Sequence, residues 1–168
     1  MNTVVLTGFQ PGDALGLEKR ELAKQDAKNQ LALGMEGVRA RLYALQQATC
    51  DLPEVDCPLQ HVFPPGLYLR TIFIPKGTVI VGKIHRHQHG NILSQGEVAV
   101  LTESGGLERL RGPITMVSEP GTKRAVYALT DVVWTTIHLN PTNTQDLEQL
   151  EREIIAPSYQ VYLEGNTS

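Results

Sequence analysis

The chain has 168 residues, a formal net charge of −3 and 41% hydrophobic residues, which suits one domain with a buried core and an appendage. No run approaches the roughly 18 consecutive apolar residues of a transmembrane helix, and the first eight residues lack a secretion signal, so we expect no membrane association and a cytoplasmic location. The near-neutral charge also disfavours a protein that coats nucleic acid polymers.

Residues 1–50 are predicted to form a mobile leader followed by a helical arm. From about Leu17 to Gln47 the chain is rich in strong helix formers and has no proline, although Gly34 and Gly37 leave open a break near residue 35. An apolar stripe at a 4-3-4-3 spacing favours either packing on the chain's own domain or contact with another subunit. The stripe consists of Leu31, Met35, Val38, Leu42 and Leu45.

Residues 51–66 contain four prolines and are predicted to be a linker that is neither helix nor central strand. Hydrophobic residues then alternate with a period of two through residues 67–142, with turn residues between the runs, which is typical of a small antiparallel sandwich or barrel. The predicted strands are Leu67–Ile74, Thr78–Ile84, His89–Leu93, Glu97–Thr102, Leu107–Arg111, Ile114–Val117, Arg124–Leu129 and Val132–Leu139.

Residues 143–168 are predicted to be a C-terminal helix and tail. Asn143 or Thr144 is the predicted cap, and an apolar stripe runs to Ile155 before Pro157 ends the helix. Ser158–Glu164 is predicted to be a last extended edge.

Four basic or imidazole side chains recur at a period of two in the segment from Gly82 to Gly96: Lys83, His85, His87 and His89. On one strand they would share a face, and they would repel one another if all were charged. A metal ion, an anion or open water must therefore compensate them.

The β-region resembles the cupins, whose barrels hold metal ligands in their mouth. Counting back from Gly96 places His89 at the glutamate of the first cupin motif, His85 at its second histidine and Lys83 at its first histidine. In the second motif, after Pro120-Gly121, Arg124 stands where the cupins have a histidine. The region also resembles a group of bacteriophage-encoded cupin-like proteins. The resemblance implies a mainly β, cupin-like (double-sheet jelly-roll) barrel with an N-terminal helical arm and a C-terminal helix.

The departures from the cupin motif favour an anionic ligand over a metal. A guanidinium and an ammonium offer no lone pair to a metal ion and would repel it, whereas both donate hydrogen bonds to phosphate or carboxylate oxygens. The predicted ligand-binding residues are Lys83, His85, His87, His89, Arg124, Trp134 and Tyr68. Arg70 is assigned with Tyr68 to a rim or a subunit contact as an alternative, and His61 to a loop.

The predicted function is non-enzymatic binding of a small anionic ligand, such as a nucleotide signal or a sugar phosphate, without a cofactor. One alternative is a metal-dependent isomerase or dioxygenase that binds a divalent transition metal through His85, His89 and His138. Another is a structural or virion-associated protein whose helical arm makes the functional contacts. A homo-oligomer is expected in each case.

Overall fold

The computed structural model describes residues 2–5, 21–22, 24–29, 37–103 and 106–165. Residues 21–22 and 24–29 are helical, and three further helices follow along the chain. These are α1 (Gly37–Thr49), α2 (Leu147–Ile154) and α3 (Tyr159–Gly165). The strands are β1 (Asn2–Val5), β2 (Leu59–Val62), β3 (Leu67–Ile74), β4 (Thr78–Val81), β5 (Ile84–His85), β6 (His89–Gln95), β7 (Glu97–Thr102), β8 (Gly106–Arg111), β9 (Ile114–Ser118), β10 (Arg124–Ala128), β11 (Val132–Leu139) and β12 (Ile155–Ala156). No helix in the described ranges is long and apolar enough to cross a membrane.

Two five-stranded sheets form the barrel, in the orders β1-β4-β10-β7-β8 and β2-β3-β11-β6-β9. The strands from β3 to β11, with the short β5 set aside, give the order of a double-sheet jelly roll, and β1 and β2 extend one edge of each sheet. Side chains from both inner faces form the core, among them Ile72, Leu93, Val98, Val126 and Trp134. The predicted mainly β, double-sheet jelly roll is therefore confirmed.

Short extensions of the sheets lie in segments predicted to be leader and linker. Residues 2–5 pair in parallel with β4, and Leu59–Val62 within the Pro-rich stretch pairs with β3 at a sheet edge. An edge position is the one that neighbouring prolines tolerate, because no second ladder of hydrogen bonds is needed there. Residues 158–164 are not extended: Ser158 lies in a bend, α3 includes residues 159–164, and the Ser158 hydroxyl accepts from the Val161 N–H at 3.2 Å.

Helix α1 packs on the outside of the first sheet. Leu42 is fully buried against Val81 and Ala125, with Val38 and Leu45 beside it. The described part of the apolar stripe therefore packs on the chain's own barrel, and Leu42 is not available to a partner subunit. Leu31 and Met35 lie outside the described residues.

Helix α2 covers the mouth of the barrel. It begins after Asp146, whose carboxylate accepts from the backbone N–H groups of Glu148 and Gln149, so the predicted caps Asn143 and Thr144 lie too early. Leu150 and Ile154 are buried against Tyr68. Beyond the helix, β12 pairs with β5, and the Arg86 side chain donates to the Ile155 carbonyl at 3.0 Å. The C-terminal segment therefore closes over the histidine-rich region.

Candidate functional site

A cavity of about 150 Å³ lies inside the barrel beneath α2. Its walls combine an apolar part, from the inner faces of both sheets and from α2, with a cluster of titratable side chains. The titratable lining residues are His61, Tyr68, Arg70, Lys83, His85, His89, Arg124, His138 and Glu151. Most of the site residues predicted from the sequence therefore share one cavity.

Three imidazoles meet in this cavity from three different strands. His85 ends β5, His89 begins β6, and His138 lies near the end of β11. Their ring centroids are 4.1 to 5.1 Å apart, and one ring nitrogen of each lies within 4.8 Å of those of the other two. Such spacing allows one ion to be shared among the three side chains.

The hydrogen bonding of His89 determines which of its two ring nitrogens carries the hydrogen and which one has a free lone pair. His89 Nδ1 lies 3.2 Å from the His87 carbonyl oxygen, which can only accept, so the Nδ1 atom carries the hydrogen. The Nε2 atom is then an acceptor, and it is buried without a hydrogen-bond partner among the described residues. A buried lone pair without a partner is costly unless a ligand satisfies it.

Burial keeps the three imidazoles neutral. It lowers the pKa of His89 to about 4 and that of His138 to about 3, and it holds the pKa of His85 well below its usual range. Positive charge from neighbouring groups lowers them further, notably Arg124 beside His85 and His89. Neutral imidazoles offer their lone pairs at physiological pH, which is what metal coordination requires.

Arg124 faces the same cavity from the opposite sheet. Its guanidinium donates to the Ser118 hydroxyl and lies 6.0 Å from the centre of the Trp134 ring. The same hydroxyl accepts from Asn91 Nδ2 at 2.8 Å, and Asn91 Oδ1 accepts from the Trp134 indole at 3.0 Å. This chain of hydrogen bonds orients the guanidinium toward the cavity.

The other charged side chains in the lining differ in how they are paired. Lys83 forms an ion pair with Glu151 of α2. Arg70 lies on β3, and its Nη2 atom is buried without a hydrogen-bond partner among the described residues. The cavity wall thus has three cationic side chains against one carboxylate, and that carboxylate is bound to Lys83.

The predicted ligand-binding residues Tyr68, Lys83, His85, His89, Arg124 and Trp134 all line the cavity. His87 does not, because residues 86–88 form a bend between β5 and β6 and leave its side chain exposed. The prediction of one straight strand through the histidines was wrong, and the bend brings His85 and His89 together. Lys83 is engaged by Glu151 instead of being open to an anion.

Sequence reasoning missed four contributors: Arg70, Asn91, Ser118 and Glu151. Arg70 has the same strand parity as the buried Tyr68, Ile72 and Ile74, which was a signal that it points inward. His61 is in β2, where its Nδ1 lies 2.8 Å from the Tyr68 hydroxyl, and is not a loop residue. No sequence signal placed Glu151 over the mouth, because that depends on how α2 docks.

The three imidazoles fit a divalent transition metal. They supply three neutral nitrogen donors, including the Nε2 atom of His89, which has no hydrogen-bond partner among the residues that the structure describes. Imidazole nitrogens suit zinc, iron, copper and nickel, and a three-donor set leaves coordination positions open for a ligand. Arg124 and Arg70 have no lone pair to give to a metal ion, and they bring positive charge close to the imidazoles. The site is therefore also suited to a negatively charged ligand.

Neither a family model nor a curated protein matches the sequence. Among solved structures, an RmlC-like cupin from Methanocaldococcus jannaschii is 12% identical, with a TM-score of 0.44 over 51% of this chain and 83% of that one. A cupin superfamily protein from Desulfitobacterium hafniense is 10% identical, with a TM-score of 0.44 over 53% and 82%. An ectoine synthase from P. lautus is 15% identical, with a TM-score of 0.43 over 49% and 62%. These likenesses are too distant to assign an activity, so the fold rests on the strand order and the function on the site.

Proposed function

We propose that this protein binds a divalent transition metal through His85, His89 and His138 and is a metal-dependent enzyme acting on a small molecule in the barrel. The observation that carries this proposal is the convergence of three neutral imidazoles, those of His89 and His138 buried, with no hydrogen-bond partner for His89 Nε2 in the described part of the chain. His85 and His89 lie on consecutive strands, and the pairing of β11 with β6 brings His138 to them.

The metal, when bound, would supply a Lewis acid that polarises an oxygen of the bound molecule. The surrounding side chains have separate tasks. Arg124, held by Ser118, would orient an anionic group of the substrate. The Tyr68 hydroxyl would hold a proton at the cavity wall, since burial raises the pKa of Tyr68. Helix α2 would exclude water from the bound molecule.

Cobalt titration of untagged protein tests the metal site, because cobalt(II) bound by imidazoles gives a visible absorption spectrum that reports coordination. We expect about one equivalent per chain for the parent and a loss to less than about a tenth for His89→Ala. His87→Ala is the matched control, since His87 is exposed two residues away, and it should bind like the parent. Equal loss in both variants, or no binding by the parent, would contradict the proposal.

A second candidate is non-enzymatic binding of a small anion, the function predicted first from the sequence. It is favoured by the orientation of Arg124 into the cavity beside the Trp134 ring. Exhaustive chelation separates the two candidates: an anion binder without metal would retain ligand binding after it, whereas a metal enzyme would lose turnover. The predicted homo-oligomer, cytoplasmic location and bacteriophage origin remain predictions.

A further inference from the structure

The cavity has two guanidinium groups without a carboxylate partner among the described residues. Arg70 comes from β3 of one sheet and Arg124 from β10 of the other, so they approach the cavity from opposite walls. The Arg124 guanidinium donates to the neutral Ser118 hydroxyl, and Arg70 Nη2 is buried with no acceptor in the described part of the chain. A buried guanidinium N–H without an acceptor is costly, and a charged oxygen is its strongest partner.

The core side of the cavity wall is apolar and restricts the size of a ligand. Ile72, Ile74, Ile80 and Val126 line it there, and the centre of the Trp134 ring lies 6.0 Å from the Arg124 guanidinium. A cavity of about 150 Å³ is large enough for one benzene-sized molecule. A nucleotide or a sugar phosphate, named as examples in the sequence-based prediction, is larger and more polar than this space.

We infer that the cavity binds a small organic oxyanion, no larger than a monocyclic acid, whose charged group is held by Arg70 and Arg124 and whose apolar body lies against the isoleucines and Trp134. This inference rests on the proposed function in one respect: the charged group lies beside the imidazoles that would hold the metal. A divalent ion near two guanidinium groups is repelled by them, and an oxyanion between them removes that repulsion. Metal and oxyanion therefore strengthen each other's binding, and the effect is reciprocal.

Calorimetry with benzoate, phenylphosphonate and AMP, on metal-free and on cobalt-loaded protein, tests the inference. Benzoate or phenylphosphonate should bind, and which of them binds tighter tells a carboxylate from a phosphorus oxyanion. AMP should bind at least about ten-fold more weakly than the better of the two. Benzoate should also raise the affinity for cobalt several-fold in the parent.

Arg70→Gln should weaken oxyanion binding about ten-fold or more, the loss expected for a charged hydrogen bond, and should abolish the benzoate effect on cobalt. The matched control Arg111→Gln alters an exposed arginine of β8 and should bind like the parent. Arg70→Lys keeps the charge and serves where the glutamine variant does not fold; it too should bind more weakly, since an ammonium cannot make the paired contact.

The inference is overturned if neither monocyclic oxyanion binds, if AMP binds as tightly as the better of them, or if a folded Arg70 variant binds like the parent. Failure of the proposed function is a different result. In that case the parent would take up no cobalt, while metal-free protein would still bind benzoate through Arg70.

Discussion

Two buried polar clusters lie on opposite sides of the first sheet, and adjacent residues of the chain lead into them. Lys123 points outward beneath α1, while Arg124 points into the barrel. The outer cluster is balanced: Lys123 and Arg39 are accompanied by Asp26 and Glu103, and Arg39 pairs with Glu103 at 2.5 Å.

The inner cluster has the opposite character, with three cationic side chains, one carboxylate and three neutral imidazoles. A cluster whose charges cancel internally needs no further charged partner, whereas one with excess positive charge is arranged for a negatively charged group that comes from outside. The difference separates a structural role from a binding role for side chains of similar burial.

The largest effect is expected when the outer cluster loses the apolar contact that Leu42 of α1 makes with the first sheet. Leu42→Asp places a carboxylate at a fully buried position, so we expect the free energy of unfolding to fall by more than about 4 kcal/mol. Urea unfolding measures it, with Ala44→Asp, exposed on the same helix, as the control that should cost less than about 0.5 kcal/mol. Equal losses would show that α1 does not pack as described.

Acidification should affect the inner cluster selectively. Burial holds the pKa values of His89 and His138 at about 4 and 3, so below pH 6.5 the native state binds fewer protons than the unfolded state. The free energy of unfolding therefore decreases as the pH is lowered. Between pH 7 and 5 the loss is about 2 kcal/mol for each imidazole. Urea unfolding of metal-free His138→Gln should show a decline smaller by that amount than the parent, and exposed His87→Gln should match the parent.

The outer cluster should respond at the other end of the pH scale. Burial lowers the pKa of Lys123 to about 8, below its unfolded value, so its contribution to stability increases as the pH rises from 8 to 10. Relative to Lys123→Met, the parent should gain about 2 kcal/mol of unfolding free energy between pH 7 and 10. A constant difference between the two proteins over this range would mean that Lys123 is solvated.

The smallest effect on stability is expected at the ion pair that joins α2 to the barrel. Lys83 and Glu151 are each about a quarter exposed, so Glu151→Gln should cost less than about 1 kcal/mol, and the cost should shrink in high salt. The substitution also removes the carboxylate from the cavity wall. Benzoate should then bind somewhat more tightly, whereas weaker binding would indicate that Glu151 contributes to the ligand site directly.

The strand pattern of the barrel was readable from the sequence because alternation and turn residues act locally. The set His85, His89 and His138 was also within reach as an alternative, since a bend after His85 was all that it required. The inward position of Arg70 and the position of Glu151 over the cavity were not predicted from the sequence. They depend on which sheets face each other and on where α2 docks. The balance of charge in the cavity could be judged only once those two residues were placed.

His85 and His89 lie on consecutive strands, whereas His138 comes from β11, so the third imidazole joins the other two only when β11 has paired with β6. A metal probe added during refolding would therefore report this long-range pairing and give no three-histidine spectrum before it has formed. The coordination spectrum would thus give the rate at which His138 reaches the other two histidines, without an activity assay.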